Sequence, residues 1–152
     1  MSALERWSLH LSALLTAGTG LVYGWLRYFG QRAGEFGPEA HPLQALLQHL
    51  HVLSAPLLVL ALGMILKGHV EPQLRSGRMK PLGTGVFLLG GLVPMILGGY
   101  AVQVAVDPEW RRIWAWIHGA SSLLFLAAYL AHLARGTAPQ SVDRTQPGSP
   151  PG

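Results

Sequence analysis

The stretch IWAWIHGASSLLFLAAYLAHLA, residues 113–134, contains no Asp, Glu, Lys or Arg. A transmembrane helix needs about 20 consecutive, predominantly apolar residues, so this stretch predicts a helix that crosses a membrane. Two histidines, His118 and His132, lie inside it. Because ionisable side chains are costly within a bilayer, their presence there is by default evidence of a functional role.

The spacing of these two histidines places them near one face of the predicted helix. Fourteen residues separate His118 from His132. At 100° per residue, the second side chain returns to within about 40° of the direction of the first. A rise of 1.5 Å per residue puts the two rings roughly 21 Å apart along the helix axis. One helix can therefore present two ligands at two depths in a membrane.

The composition extends this prediction to the whole chain. Half of the 152 residues are hydrophobic and 12% are charged, whereas about a quarter of the residues in a soluble domain are charged. The charged residues leave four long gaps, each long enough to span a membrane. The predicted spans cover about 7–28, 42–66, 81–105 and 111–134. Short connectors between them predict an all-α, up-down-up-down four-helix bundle.

This bundle makes up a single predicted domain. It covers residues 1–135 and leaves no room for a separate soluble catalytic domain. The tail, residues 136–152, is rich in Pro, Ser and Gly and has little apolar surface to bury, so we expect it to be disordered. We find no internal repeat in the sequence. The protein is therefore expected to contact membrane lipid along most of its length.

The basic residues indicate an orientation. The side of the two termini has seven Lys and Arg: Arg6, Lys67, Arg75, Arg78, Lys80, Arg135 and Arg144. The opposite side has four: Arg27, Arg32, Arg111 and Arg112. The positive-inside rule then places both termini in the cytoplasm. These residues flank apolar segments and form no long cationic run, so the net charge of +4 does not indicate a nucleic-acid partner.

Histidine positions match in depth if the four spans alternate in direction. His10 lies near the cytoplasmic start of the first span, at the level of His132 near the end of the fourth. On the opposite side, His49 and His51 lie a few residues into the second span, at the level of His118. This predicts two bis-histidine pairs, His10 with His132, and either His49 or His51 with His118.

Two choices within this set stay open. His49 and His51 differ by about 200° around a helix, so both cannot face the bundle. We favour His51 because it is nearly in phase with His69, eighteen residues further on. His69 is a rival to His10 for the cytoplasmic-side site, or a partner for a haem propionate or a quinone. His41, next to Pro42, is interpreted as a loop residue without a ligand role.

Imidazole is a common axial ligand of haem iron and also binds zinc and copper. Cysteine is absent, which excludes iron–sulfur clusters and covalently attached c-type haem. Transition-metal transport sites normally include carboxylates, and the predicted spans contain none. The pattern therefore favours two non-covalent haem b groups. The alternatives are a haem-free membrane anchor or assembly subunit, and a small metal or proton transporter.

The arrangement of histidines on four predicted helices resembles a known family. One histidine early in the first helix, one early in the second and two fourteen residues apart in the fourth are similar to the small bacterial dihaem b-type cytochromes. This family includes cytochrome b561-like proteins and the cytochrome b subunits of formate dehydrogenases and nickel–iron hydrogenases. The resemblance covers about residues 7–135. The doubled histidine in the second span and the additional His69 depart from the family pattern.

The resemblance implies a location and a function. It implies a multi-pass protein of the bacterial inner membrane that carries electrons between the quinone pool and a redox partner subunit. His10 and His132 would ligate the cytoplasmic-side haem, and His118 with His51 or His49 the outer haem. The chain would be a non-catalytic subunit of an oxidoreductase complex. A quinone is a further candidate ligand near Tyr100 and Gln103. Arginines at both levels are candidate propionate partners: Arg27, Arg111, Arg112, Arg78 and Arg135, together with Lys80.

Overall fold

The computed structural model describes residues 2–76 and 84–136. This part of the chain is mostly helical, and four of its helices are long and apolar enough to cross a membrane. The chain divides into two compact units, Met1–Pro81 and Leu82–Gly152. We call the described parts of these units the first hairpin and the second hairpin. Arg78, Lys80 and the tail from residue 137 onward lie outside the described residues.

The first hairpin contains two long helices joined by a small sheet. Its elements are α1 (Ala3–Tyr28), β1 (Arg32–Gly34), β2 (Gly37–Glu39), α2 (Gln44–Ile65), a π-helical segment (Leu66–Val70) and α3 (Glu71–Arg75). Contacts along the two long helices run in opposite order. Gly68 lies close to the Glu5 carboxylate, and Gly20 lies close to the ring of His51. The two helices therefore run antiparallel.

A capping box begins α1 earlier than the apolar pattern predicts. The Ser2 hydroxyl accepts a hydrogen bond from the backbone N–H of Glu5 at 3.2 Å. In return, the Glu5 carboxylate accepts one from the backbone N–H of Ser2 at 2.7 Å. These bonds satisfy two backbone donors that a helix start otherwise leaves unpaired. The helix therefore begins at Ala3, four residues before the apolar run.

The second hairpin consists of α4 (Thr84–Val104) and α5 (Pro108–Gly136). The Asp107 carboxylate caps α5 by accepting hydrogen bonds from the backbone N–H groups of Glu109 and Trp110, at 2.9 and 3.0 Å. The Arg111 guanidinium reaches back and donates to the carbonyl of Ala105 at 2.7 and 3.0 Å. The short connection is thus held from both sides, at the start of α5 and at the end of α4.

The connection within the first hairpin is different. Strands β1 and β2 pair antiparallel, with Arg32 opposite Glu39 and Gly34 opposite Gly37. Gly37 has φ +124°, a conformation that residues with a Cβ rarely adopt, and this permits the tight reversal. The two-stranded sheet is an addition to the predicted all-α fold. It lies in the connector between the first two predicted spans.

The interior of the described part is made mainly of small and hydroxyl-bearing residues. The buried residues are Ser12, Thr16, Ser54, Leu58, Ala61, Met95 and Gly98. Large apolar side chains point outward instead, and Leu14, Leu53 and Leu60 are each more than three-fifths exposed. Close packing of small residues inside, with apolar surface outside, is typical of helices surrounded by lipid. The helices are thus compatible with a multi-pass membrane protein.

The prediction of four long apolar helices is confirmed. One boundary differs, because the second long helix continues beyond 66 through the π-helical segment to Arg75. Charged residues end the apolar run there, but they do not end the helix. Membrane insertion, the sidedness of the termini and the assembly of the hairpins into one bundle stay predictions.

Candidate functional histidines

In the first hairpin, His51 of α2 packs against α1. Its Nδ1 lies 2.9 Å from the backbone carbonyl oxygen of Thr16. The Thr16 hydroxyl donates to the Ser54 hydroxyl at 3.1 Å, and the Ser54 hydroxyl donates to the carbonyl of His51 at 3.0 Å. Thr16 and Ser54 are both buried. A closed set of hydrogen bonds therefore holds His51 against the partner helix.

A glycine on α1 makes room for the His51 ring. A Cβ atom added at Gly20 would lie 2.7 Å from Cε1 and 2.8 Å from Nδ1 of His51. Real Cβ atoms essentially never approach other heavy atoms this closely. Any residue other than glycine at position 20 would therefore require the ring to move.

In the second hairpin, His118 of α5 packs against α4. Its Nδ1 lies 2.8 Å from the backbone carbonyl oxygen of Met95. A Cβ atom added at Gly99 would lie 3.1 Å from Cε1 of the His118 ring, and one at Gly98 would lie 3.2 Å from the backbone nitrogen of His118. Two adjacent glycines thus bring the backbones of α4 and α5 together beside this histidine.

These contacts determine which ring nitrogen of each histidine carries the proton. A carbonyl oxygen can only accept a hydrogen bond, so Nδ1 of His51 and Nδ1 of His118 must each donate. In a neutral imidazole the other nitrogen, Nε2, then has the lone pair. Metal-ligating histidines commonly have this arrangement, in which a bond from one nitrogen fixes the orientation and tautomer of the ring. The bond from Nδ1 thus fixes the orientation of both rings, and metal binding through Nε2 stays a prediction.

The structure distinguishes the two neighbouring histidines of the second long helix. His51 is half-buried and bonded to α1, whereas His49 is exposed. Since these side chains point in nearly opposite directions around the helix, only His51 occupies the interface of the first hairpin. The choice of His51 over His49 as a ligand stays a prediction.

The other sequence-predicted ligands lie elsewhere on the two hairpins. His10 is half-buried on α1, with its ring edge-to-face against Trp7 at a centroid distance of 6.4 Å. His69 is half-buried within the π-helical segment, a type of element frequently found at functional sites. His132 is exposed near the end of α5. Each predicted pair takes one histidine from each hairpin, and the pairing itself stays a prediction.

Comparison with known proteins gives no match. No protein family, no curated protein and no solved structure is significantly similar to this chain. The resemblance to dihaem cytochromes thus rests on the histidine pattern alone. Residues 2–76 and 84–136 also contain no group of three or more His, Asp or Glu side chains that could hold a metal ion. A bis-histidine haem needs only two protein ligands.

Three of the arginines considered as propionate partners have local partners, and their pairing with propionates stays a prediction. Arg27 donates to the Tyr23 hydroxyl at 3.2 Å. Arg111 donates to the carbonyl of Ala105. Arg112 forms an exposed ion pair with Glu109. These interactions give each side chain a role within its own hairpin.

Sequence reasoning did not identify the groups that position the two rings. The carbonyls of Thr16 and Met95 leave no signal in a sequence, because every residue has a carbonyl. Gly20 and Gly99 belong to glycine-rich stretches that indicate close helix packing without saying which neighbour approaches. A usable signal exists three residues after each histidine, where Ser54 and Ser121 occupy equivalent positions.

Proposed function

We propose that this protein is a membrane dihaem b-type cytochrome that transfers electrons between the quinone pool and a redox partner subunit. One observation carries the proposal. In each hairpin, a histidine within an apolar span donates from Nδ1 to a backbone carbonyl of the neighbouring helix, so that Nε2 has the lone pair. His51 and His118 would together ligate the outer haem through these atoms.

The chemistry of the donor set fits haem b. Haem would supply a one-electron couple, and ligation of its iron by two imidazoles would favour outer-sphere electron transfer. The chain has no cysteine, so the group would be held without thioether bonds. The residues of the protein would orient the two imidazoles and keep water away from them. Small residues between the helices and large apolar side chains outside suit both tasks.

The second proposed haem uses His10 and His132, with His69 as the rival of His10. Beside His10 in the sequence, an apolar groove of about 290 Å³ opens between α1 and α2. Its lining includes Ser8, Leu11, Leu15 and Leu57. A groove of this character suits the apolar edge of a porphyrin. His69 lies four residues after the end of α2, at the same end of the first hairpin as His10.

A quinone is the proposed electron partner within the membrane. Tyr100 is about half exposed on α4. The Gln103 side-chain amide donates at 3.3 Å to the carbonyl of Gly99, the glycine that lies against the His118 ring. These two polar side chains offer hydrogen bonds to a quinone close to the proposed outer haem. The remaining partner would be a subunit of an oxidoreductase complex.

The proposed location is the bacterial inner membrane, with both termini in the cytoplasm. The excess of Lys and Arg on the side of the termini supports this orientation. A reporter fused after Gly136 should give a cytoplasmic signal. A periplasmic signal there would contradict the orientation and would exchange the sides of the two proposed haems.

Haem analysis of the purified full-length protein tests the function. Reduced-minus-oxidised spectra should show b-type bands, and a pyridine haemochrome assay should count two haems per chain. Acid–acetone should extract all of the pigment, since no cysteine can attach it. Protein from a haem-replete host that contains no haem would contradict the proposal and favour a haem-free anchor subunit or a transporter.

A further inference from the structure

The two hairpins position their histidines in the same way. In the first hairpin, the carbonyl that accepts from His51 belongs to Thr16, four residues before Gly20. In the second, the carbonyl that accepts from His118 belongs to Met95, four residues before Gly99. Because residues four apart are neighbours on one face of a helix, each ring lies along one turn of the partner helix between carbonyl and glycine.

The distances agree atom by atom. The bonds from Nδ1 to the carbonyl oxygen measure 2.9 and 2.8 Å. In both hairpins, Cε1 is the ring atom nearest to the glycine, followed by Nδ1 and then Nε2. A serine three residues after each histidine, Ser54 or Ser121, donates to the histidine carbonyl at 3.0 or 3.1 Å. Both rings therefore have the same orientation relative to their own partner helix.

The two hairpins correspond at only a few positions, and their sequences show no similarity that would reveal it. Thr16 corresponds to Met95, residues with neither size nor polarity in common. The sequence separations also differ, because His51 follows Thr16 by 35 residues and His118 follows Met95 by 23. The absence of an obvious sequence repeat is therefore compatible with a structural repeat at these positions.

We propose that the two hairpins are two versions of one histidine-presenting unit, in which Gly20 and Gly99 are the positioning residues. This inference rests on the proposed function for the identity of the ligand, but the geometry of each unit does not depend on it. Each glycine lets the imidazole lie against the backbone of the neighbouring helix. There Nδ1 donates to the carbonyl one turn away, and Nε2 would be the atom that binds iron.

A methyl group at either glycine should break this arrangement. At position 20 the added atom would overlap the His51 ring, at 2.7 Å from Cε1. At position 99 the approach of 3.1 Å is tighter than nine in ten real contacts of a Cβ atom. The ring must then turn or shift, and its bond to the carbonyl weakens. We expect a larger effect at Gly20 than at Gly99.

Matched controls are available on the same helices. An alanine at Gly24 of α1, or at Gly90 of α4, would meet no described atom within 4 Å. Each control makes the same chemical change in the same helix as its test variant, Gly20→Ala or Gly99→Ala. Helix propensity therefore favours alanine similarly in all four variants. A difference between test and control then reports the contact with the histidine ring.

The tautomer is the most specific readout. Full-length protein prepared without haem and labelled with ¹⁵N-histidine should show two imidazoles protonated at Nδ1, assigned by their loss in His51→Ala and His118→Ala. Gly20→Ala should remove the His51 signal and Gly99→Ala should weaken the His118 signal. Both controls should keep the two signals. Protonation of His51 and His118 at Nε2, or equal spectra for test and control, would overturn the inference.

A second readout uses the haem-loaded protein. It tests the role of the two glycines even if the haem-free chain does not fold. Gly20→Ala and Gly99→Ala should each lose the low-spin signature of one haem of two, leaving the other unchanged. Full retention of both low-spin haems in both variants would overturn the inference. Haem-free wild-type protein would contradict the proposed function instead, and the tautomer measurement would then test the positioning unit by itself.

Discussion

The two hairpins hold their histidines alike but pack their helices differently. In the first hairpin, the buried hydroxyls of Thr16 and Ser54 link α1 to α2. In the second, Gly98 and Gly99 bring α4 against α5, and buried Met95 supplies a carbonyl but no polar side chain. The imidazole geometry therefore depends on the backbone carbonyl and the glycine, while the hydroxyl pair adds cohesion to one hairpin only.

The largest expected effect comes from removing the histidines themselves. His51→Ala and His118→Ala should each reduce the haem content from two per chain to one, since each removes an axial ligand of the proposed outer haem. His49→Ala is the control and should retain both haems, because His49 is exposed on the opposite side of its helix. Haemochrome counts measure the outcome. Loss of a haem in His49→Ala with none lost in His51→Ala would reverse the assignment.

Of the two arginines near the connection of the second hairpin, we expect only Arg111 to contribute substantially to stability. Arg111→Ala removes a guanidinium that holds the Ala105 carbonyl at the end of α4, so we expect a loss of about 1.5 kcal/mol in unfolding free energy. Arg112→Ala breaks only an exposed ion pair with Glu109 and should cost under about 0.5 kcal/mol. Unfolding in denaturing detergent, followed by circular dichroism, measures both. Equal losses would contradict the assigned roles.

The hydroxyl pair should matter in the first hairpin alone. Ser54→Ala leaves the buried Thr16 hydroxyl without its acceptor, and we expect a loss of about 1 kcal/mol. Ser121→Ala removes a hydroxyl that bonds only to carbonyls of its own helix among the contacts described, Ile117 and His118, and should change stability less. The same unfolding assay compares the two variants. A greater loss of unfolding free energy in Ser121→Ala than in Ser54→Ala would contradict this prediction.

The smallest effect on the histidines and the haem is expected from a change in the sheet of the first hairpin. Gly37→Ala places a Cβ at φ +124°, which strains the backbone by about 1 kcal/mol. The strain lies in an exposed connector, so the haem content and both histidine geometries should be unchanged. A thermal melt and a haemochrome count check this. Loss of haem in Gly37→Ala would show that the connector helps to position the histidines.

The sequence predicts the helices well because their signal is local. Four gaps between charged residues locate the four long helices, and His118 and His132 stand out because little else in residues 113–134 is polar. The predicted helix ends are wrong where a local interaction extends a helix beyond its apolar run, as the capping box at Ser2 does for α1. The structure extends the second long helix to Arg75 because charge ends an apolar run without breaking a helix.

The positioning of the rings could not be predicted in the same way. The contact between His51 and the carbonyl of Thr16 depends on the register and rotation of two helices 35 residues apart in the chain. Neither the register nor the rotation can be read from the sequence of one helix alone. The phase of His51 with His69 could nevertheless be predicted, because it follows from helix geometry alone.

We propose that His51 of the first hairpin and His118 of the second ligate the same haem. Haem content of the double variant His51→Ala/His118→Ala tests this most directly. If the two histidines share one haem, the double variant should retain one haem per chain, the same number as either single variant. The matched double variant His51→Ala/His132→Ala should retain none, since it removes a ligand from each haem. A count of zero in His51→Ala/His118→Ala would contradict the account, because it would mean that the two histidines serve different haems.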